Sequence, residues 1–197
     1  GKDVELDLIV AGQKQLTNLE KVFKSNFAYK VITTTKKPVY IAKEKSHQYK
    51  DILVPIGLSD KDDKILDEAK KWAKIYDGTL HIVHVLNPPQ FAMIPDAVAA
   101  QVNIFNDEVF KQIKDSSNEV INLKVKALQK EGFKAEGNLL INDDTTTELL
   151  EYQKNKIDFV IMGTHARKGF EKIRFGSTAL RMIENSPTSL LVINTSN

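Results

Sequence analysis

Asp158-Phe159-Val160-Ile161-Met162-Gly163-Thr164-His165-Ala166-Arg167-Lys168-Gly169, with Phe175-Gly176-Ser177 a few residues on, is the stretch that decides the fold. A short apolar run breaks into a glycine-bearing loop, and Gly176-Ser177 then opens an apolar-periodic segment through Leu180 and Ile183. This reads as a buried strand, a loop and a helix start. Such an arrangement presents backbone N–H groups to a phosphate. The loop is basic as well, with Arg167, Lys168, Lys172 and Arg174 against Glu171. The same residues also suit a tight turn with a solvated basic face, so the choice rests on the surrounding chain.

Upstream, Ile52-Leu53-Val54-Pro55-Ile56 is a strand ending at Gly57-Leu58-Ser59. Ser59 or Asp60 is placed to cap the helix whose apolar face holds Ile65, Leu66, Ala69, Trp72, Ala73 and Ile75. Thr79–Leu86 is a second strand, and Pro88-Pro89 breaks the chain after it. A long helical pattern follows with Val98, Val102, Phe105, Val109, Ile113, Val120, Leu123 and Ala127 on one face, and Ser116-Ser117-Asn118 is a candidate interruption. Ala135–Ile141 is a third strand, Thr145–Tyr152 a helix behind the Asn142-Asp143-Asp144 turn, Asp158–Met162 a fourth strand and Ser189–Ile193 a fifth. Strands alternating with helices predict a parallel, doubly wound α/β sheet covered on both faces. Its ligand crevice would lie at the carboxyl ends of the strands, flanked by the turns at Gly57 and Gly163.

The bulk numbers exclude several classes. The chain has 197 residues, 42% hydrophobic and 27% charged, with a formal charge of +2, which gives no hint of nucleic acid. It has no cysteine, so neither a disulfide framework nor thiolate chemistry is open to it. No apolar run approaches the length of a membrane span. The default expectation is a cytoplasmic protein, and the Gly start points to a piece of a longer chain.

The first residues repeat the last. Leu6–Gly12 reads as a strand, Leu16–Ile32 as a helix and Val39–Ala42 as a second strand, with a polar linker over Glu44–Lys50. Shifted by 151 residues, Asp7–Ala42 lies on Asp158–Ile193 without a gap. Asp7, Gly12, Glu20, Lys21, Ala28 and Ile32 meet identical residues, and the apolar pattern agrees as well, strand on strand and helix on helix. The expected organisation is residues 1–46, the closing strand–helix–strand of a preceding repeat plus linker, and 47–197, one complete domain.

Ile52–Ile56 opening a domain, His84-Val85 closing its second strand, and Met162-Gly163 with Phe175-Gly176-Ser177 resemble the universal stress protein family. The resemblance implies a five-stranded parallel sheet of order 3-2-1-4-5, the adenine-nucleotide alpha-hydrolase-like arrangement, in cytoplasmic stress-response proteins. It also implies dimers or tandem pseudo-dimers that meet along their last strands, here Val39–Ala42 beside Ser189–Ile193. Members that bind ATP carry Gly-x2-Gly-x9-Gly-Ser after strand four and an Asp after strand one. In this chain the matching positions are Gly163, Ala166, Gly176 and Ser177, with Gly169 three residues past Ala166, and Gly57 stands in the place of the Asp. The nucleotide-binding residues so implied are Pro55, Ile56, Gly57, Val85, Met162, Gly163, Ala166, Arg167, Lys168, Gly169, Gly176 and Ser177, with ATP and magnesium as the ligand. Asp60 and Asp62 are expected to face solvent. The first copy keeps Gly12 alone and has Ser25-Asn26 for Gly-Ser, which makes it a non-binding partner.

Other constellations carry little chemistry. His81 and His84 fall on opposite faces of one strand and cannot share a metal. Asp143-Asp144 reads as a turn and helix cap. No nucleophile–base arrangement is visible, so catalysis is not expected. Three readings stay open: a regulatory module with a degenerate ATP site, an interaction or scaffold module without nucleotide, and a slow ATPase. A universal-stress-like tail on a membrane transporter is a further possibility.

Overall fold

A computed structural model describes residues 7–12, 31–32, 35, 37–43, 49–88, 96–154, 156–164 and 176–195, the backbone alone over 96–106. The strands are β1 (Ile9–Gly12), β2 (Val39–Ala42), β3 (Asp51–Pro55), β4 (Thr79–Leu86), β5 (Lys134–Ile141), β6 (Phe159–Thr164) and β7 (Ser189–Asn194). The described helices are α1 (Asp62–Tyr76), α2 (Asp96–Lys130), α3 (Thr145–Gln153) and α4 (Ser177–Asn185). The helix expected over Leu16–Ile32 falls outside the described residues except at its last two, Val31 and Ile32, which are helical.

All the strands form one seven-stranded sheet of order β1-β2-β7-β6-β3-β4-β5. From β5 to β7 the five strands that follow residue 47 run in the expected 3-2-1-4-5 order, all parallel. As expected, Val39–Ala42 lies beside Ser189–Ile193: β2 adds antiparallel to β7 and β1 parallel to β2, which extends the five strands to seven. The β1–β2 register, Ile9↔Val39 to Gly12↔Ala42, becomes the β6–β7 register, Val160↔Leu190 to Gly163↔Ile193, when both partners move by the 151-residue offset. Between β2 and β7 the pairs are Val39↔Val192, Tyr40↔Leu191 and Ile41↔Leu190, so Tyr40 and Leu191 mark the centre of a local twofold.

Two apolar layers sandwich the sheet. One side holds Ile52, Val54, Ile82, Phe159 and Ile161 under α1 and α2. The other holds Leu53, Val83, Val160, Met162 and Val192 under α3 and α4. Both faces of each central strand are buried, and this explains their unbroken Ile/Leu/Val runs. An aromatic cluster ties β2 into the first layer: Phe159 lies 4.5 Å from Tyr49, 4.8 Å from Trp72 and 5.8 Å from Tyr40, centroid to centroid.

The long helix corrects the sequence reading twice. It runs unbroken through Ser116-Ser117-Asn118, where Ser117 is buried and its hydroxyl donates to the Ile113 carbonyl at 2.7 Å. Its packed face is Ile121, Val125 and Leu128, whereas Val109, Ile113, Val120 and Leu123 are exposed. The helix carries two apolar stripes, and β5 selects the one that fits its relief. A Cβ on Gly137 would stand 2.5 Å from Ile121 Cγ2 and 3.0 Å from Val125 Cγ2, so the missing side chain is what lets α2 approach. Among the described residues no helix is long and apolar enough to cross a membrane.

Candidate functional site

β3 and β6 are neighbours on which the chain winds in opposite directions, and they pair only at Ile52↔Phe159 and Leu53↔Val160. Beyond that point β3 stays with β4, since Ile56 donates its N–H to the Val83 carbonyl at 2.9 Å. A cleft of about 620 Å³ lies at the carboxyl ends of these strands, at the switch point where doubly wound sheets hold ligands. Pro55, Ile56 and Gly57 enter it from β3, Val85 from β4, Met162 and Gly163 from β6, and Gly176 and Ser177 from the start of α4. Eight of the twelve expected site residues thus meet around one cavity. Ala166, Arg167, Lys168 and Gly169 lie outside the described residues.

Two helices bring their N-termini to this cleft, through Thr145 and Leu149 of α3 and Ser177, Thr178 and Ala179 of α4. Their ends differ chemically. Asp144 caps α3, its carboxylate accepting from the N–H groups of Thr146 at 3.0 Å and Thr147 at 3.3 Å. Arg181 of α4 donates to both oxygens of that carboxylate at 2.8 Å, joining the two helices beside the cleft. At α4 the cap position is Gly176, which has no side chain to offer the first-turn N–H groups, and Leu180 is the residue that returns to the Gly176 carbonyl, at 3.3 Å. One helix start is capped by a carboxylate; the other faces the cleft with no side-chain cap among the described residues.

The Arg181 guanidinium, and after it the Thr147 and Thr146 donors, hold the Asp144 carboxyl well below the usual carboxylate range. A depressed folded-state pKa contributes stability above the unfolded value, near 4, and that contribution is lost as the pH falls further. The stability gap between wild type and Asp144→Asn is therefore expected at about pH 6 and should shrink from about pH 4 downward. Salt should narrow it too, because both side chains are half exposed. Urea titrations giving the same gap at both ends of that range would refute the assignment.

Asp62 departs from expectation. It does not face solvent: only 1% of it is exposed, and its carboxylate accepts from the N–H of Gly57 at 3.0 Å and of Ser59 at 2.9 Å. Nor does Ser59 or Asp60 cap α1, whose N-cap position is Lys61, which makes no side-chain capping hydrogen bond. The Asp62 carboxylate instead brackets Leu58, which sits at φ 55° in the left-handed region, a strained conformation for a leucine. This side chain shapes the loop at the cleft mouth.

Gly163 has a packing cause of its own. A Cβ there would come within 2.7 Å of Ile65 Cδ1 and 2.8 Å of Thr195 Cγ2, so the glycine is what lets α1 and the end of β7 close over β6. Sequence reasoning missed Ile65, Val83, His84, Thr145, Leu149, Thr178 and Ala179 among the lining residues. Only the Gly-Ser doublet pointed toward Thr178 and Ala179. His84 Nδ1 lies 2.9 Å from the Ile56 carbonyl; a carbonyl only accepts, so this nitrogen donates and clips the end of β4 to the cleft loop. His81 lies elsewhere, buried near the amino ends of the strands, with Nε2 2.8 Å from Asp51 and Nδ1 2.7 Å from Glu136.

Comparison with known proteins agrees with this fold. A family model described as the universal stress protein family matches residues 48–194. Universal stress protein MJ0531 of Methanocaldococcus jannaschii is 26% identical over 146 residues, covering 74% of this chain and 82% of that protein. Universal stress protein YxiE of Bacillus subtilis is 26% identical over 150 residues, covering 74% and 99%. A solved universal stress protein from Archaeoglobus fulgidus shares the fold at a TM-score of 0.66 and 20% identity; the likeness covers 95% of this chain and 60% of that one.

Proposed function

The chain belongs to the universal stress protein family, and from that premise we propose that its cleft is a regulatory site for an adenine nucleotide, held by backbone donors. The observation that carries the reading is the start of α4, with no side-chain cap among the described residues, opening into a cavity of about 620 Å³. Ile56, Val85, Leu149 and Met162 supply apolar surface for a base, and the first turn of α4 supplies N–H groups and a partial positive charge for phosphate. Arg167 and Lys168 follow β6 in sequence and would add counter-charge.

The site is a reduced one. Gly57 brings no carboxylate to the ribose, and the nearby Asp62 carboxylate is committed to the Gly57 and Ser59 N–H groups. The described lining therefore offers magnesium no acidic ligand, and the metal is no part of this reading. The second reading, an interaction module without nucleotide, is favoured by the packing cause found for Gly163.

Ser177→Glu separates the two. A carboxylate in the first turn favours the helix by about 0.3–1 kcal/mol, yet it repels an anion in the cleft. ATP titrated calorimetrically into the wild-type chain is expected to bind saturably. The variant should bind at least about tenfold more weakly while melting no lower than wild type. Absence of binding to the wild type at millimolar ATP sinks the nucleotide reading and leaves the interaction module.

A further inference from the structure

We infer that the unpacked stripe of α2 is a self-association seam, through which two copies of this chain pair as a parallel, in-register coiled coil. The helical period singled this stripe out, and the sheet does not use it. Val109, Ile113, Val120 and Leu123 are 36%, 45%, 37% and 59% exposed, and Ser116 and Ala127, which complete the row, are exposed as well. A contiguous row of large apolar side chains left in water marks an interaction surface.

Spacing argues for a second helix as the occupant. From Val109 to Ala127 the six residues follow one another at intervals of four, three, four, three and four. That alternation is the seven-residue repeat by which one helix seats its side chains between those of another. The seam it makes is about 27 Å long.

Residue type argues for two parallel strands. In heptad terms Ile113 and Val120 occupy a positions and Leu123 a d position, with Val109 at the d position two turns before Ser116. β-Branched side chains at a with leucine at d favour a parallel pair over larger bundles. Ser116 and Ala127 contribute little apolar surface, so the contact is a reversible one.

Charge argues for a second copy of this same chain. Glu119 and Lys126 lie at g positions, exposed on one flank of the seam, and Lys124 and Glu131 lie at e positions on the other. Within one chain Lys124 reaches Asp63 at 3.3 Å and Glu131 reaches Lys70 at 3.1 Å, which holds both along the side of α2 that faces α1. In a parallel pair each g residue meets the e residue five places on in the other helix. Glu119 then meets the partner's Lys124, and Lys126 meets the partner's Glu131, both opposite in sign. Turned end for end with the stripes still overlapping, the copies would set Glu119 against Glu119. The last-strand edge, where the family resemblance places the contact between copies, is filled within this chain by β2 on β7.

Sedimentation of the full chain from micromolar to submillimolar concentration is expected to show a reversible equilibrium between the 22.2 kDa monomer and its dimer. Leu123→Lys should weaken association at least about tenfold. Leu123 is exposed in the monomer, so the same change should leave the melting temperature of dilute protein where it is. The chain has no cysteine, and single introduced ones therefore report the geometry. Under oxidised glutathione, Val109→Cys and Leu123→Cys should each give a disulfide-linked dimer, whereas Asn122→Cys, exposed outside the seam, should not. A chain that stays monomeric throughout overturns the inference, as does a dimer that survives Leu123→Lys. Linkage through Leu123→Cys without linkage through Val109→Cys means crossed or antiparallel helices, and overturns it too.

Discussion

Phe159→Ala is expected to lower the unfolding free energy by about 3–5 kcal/mol, the range for deleting a fully enclosed aromatic side chain. Phe159 is 0% exposed and stands where four elements meet. Its ring touches Trp72 of α1, Tyr49 ahead of β3, and Tyr40 of β2, while its backbone pairs with both Ile52 and Ser189. Aromatic pairs at these spacings add to plain area burial, so truncation removes packing from several partners at once. The hydroxyls of Tyr40 and Tyr49 hydrogen-bond beside it and restrict how far the cluster can collapse into the void. Urea denaturation read by Trp72 fluorescence gives the number, and a loss below about 1 kcal/mol would show that the cluster re-forms without its centre.

Asp62→Ala should cost about 2–3 kcal/mol and should also weaken any ligand of the cleft. Hydrogen bonds to a charged group contribute about 1.5–3 kcal/mol, and two are lost here, to Gly57 and Ser59. Water can reach both donors because these residues are exposed, so the two contributions do not add in full. Leu58 then has no reason to keep its left-handed backbone, and the loop that sets Gly57 at the cleft relaxes. Asp62→Asn keeps the shape and one acceptor oxygen, and should recover part of the stability. Paired urea titrations and ATP calorimetry check both halves. An Asp62→Ala chain with wild-type stability and affinity would reduce the carboxylate to a bystander.

Much of this was legible in the residues. Alternating apolar runs and helical periods gave the parallel, doubly wound sheet, because both patterns follow from local backbone geometry. Asp144 was readable as a cap for the same reason: its partners are two and three residues away. Gly57, Gly163, Gly176 and Ser177 could be assigned to one crevice because strand order fixes which turns share an end of the sheet.

What failed was whatever depends on a distant neighbour. α2 offers two apolar stripes, and the choice of Ile121, Val125 and Leu128 over Ile113, Val120 and Leu123 is made by the relief of β5 at Gly137. Gly163 looked like a phosphate glycine, yet its lack of a Cβ is explained by Ile65 and Thr195, 98 residues before it and 32 after it in the chain. Asp62 looked like a surface acid at a helix start, and only the return of the Gly57–Ser59 loop buries it.

By itself, then, the sequence determined the order of the elements and the doubly wound sheet, since periodicity and caps are properties of neighbours along the chain. The tertiary structure alone decided that the seam between β2 and β7 is antiparallel, which stripe of α2 is packed, and that the Asp62 carboxylate is held by the Gly57 and Ser59 N–H groups. Burial and hydrogen-bond partners are set by atoms brought together across the fold, and no local pattern records them.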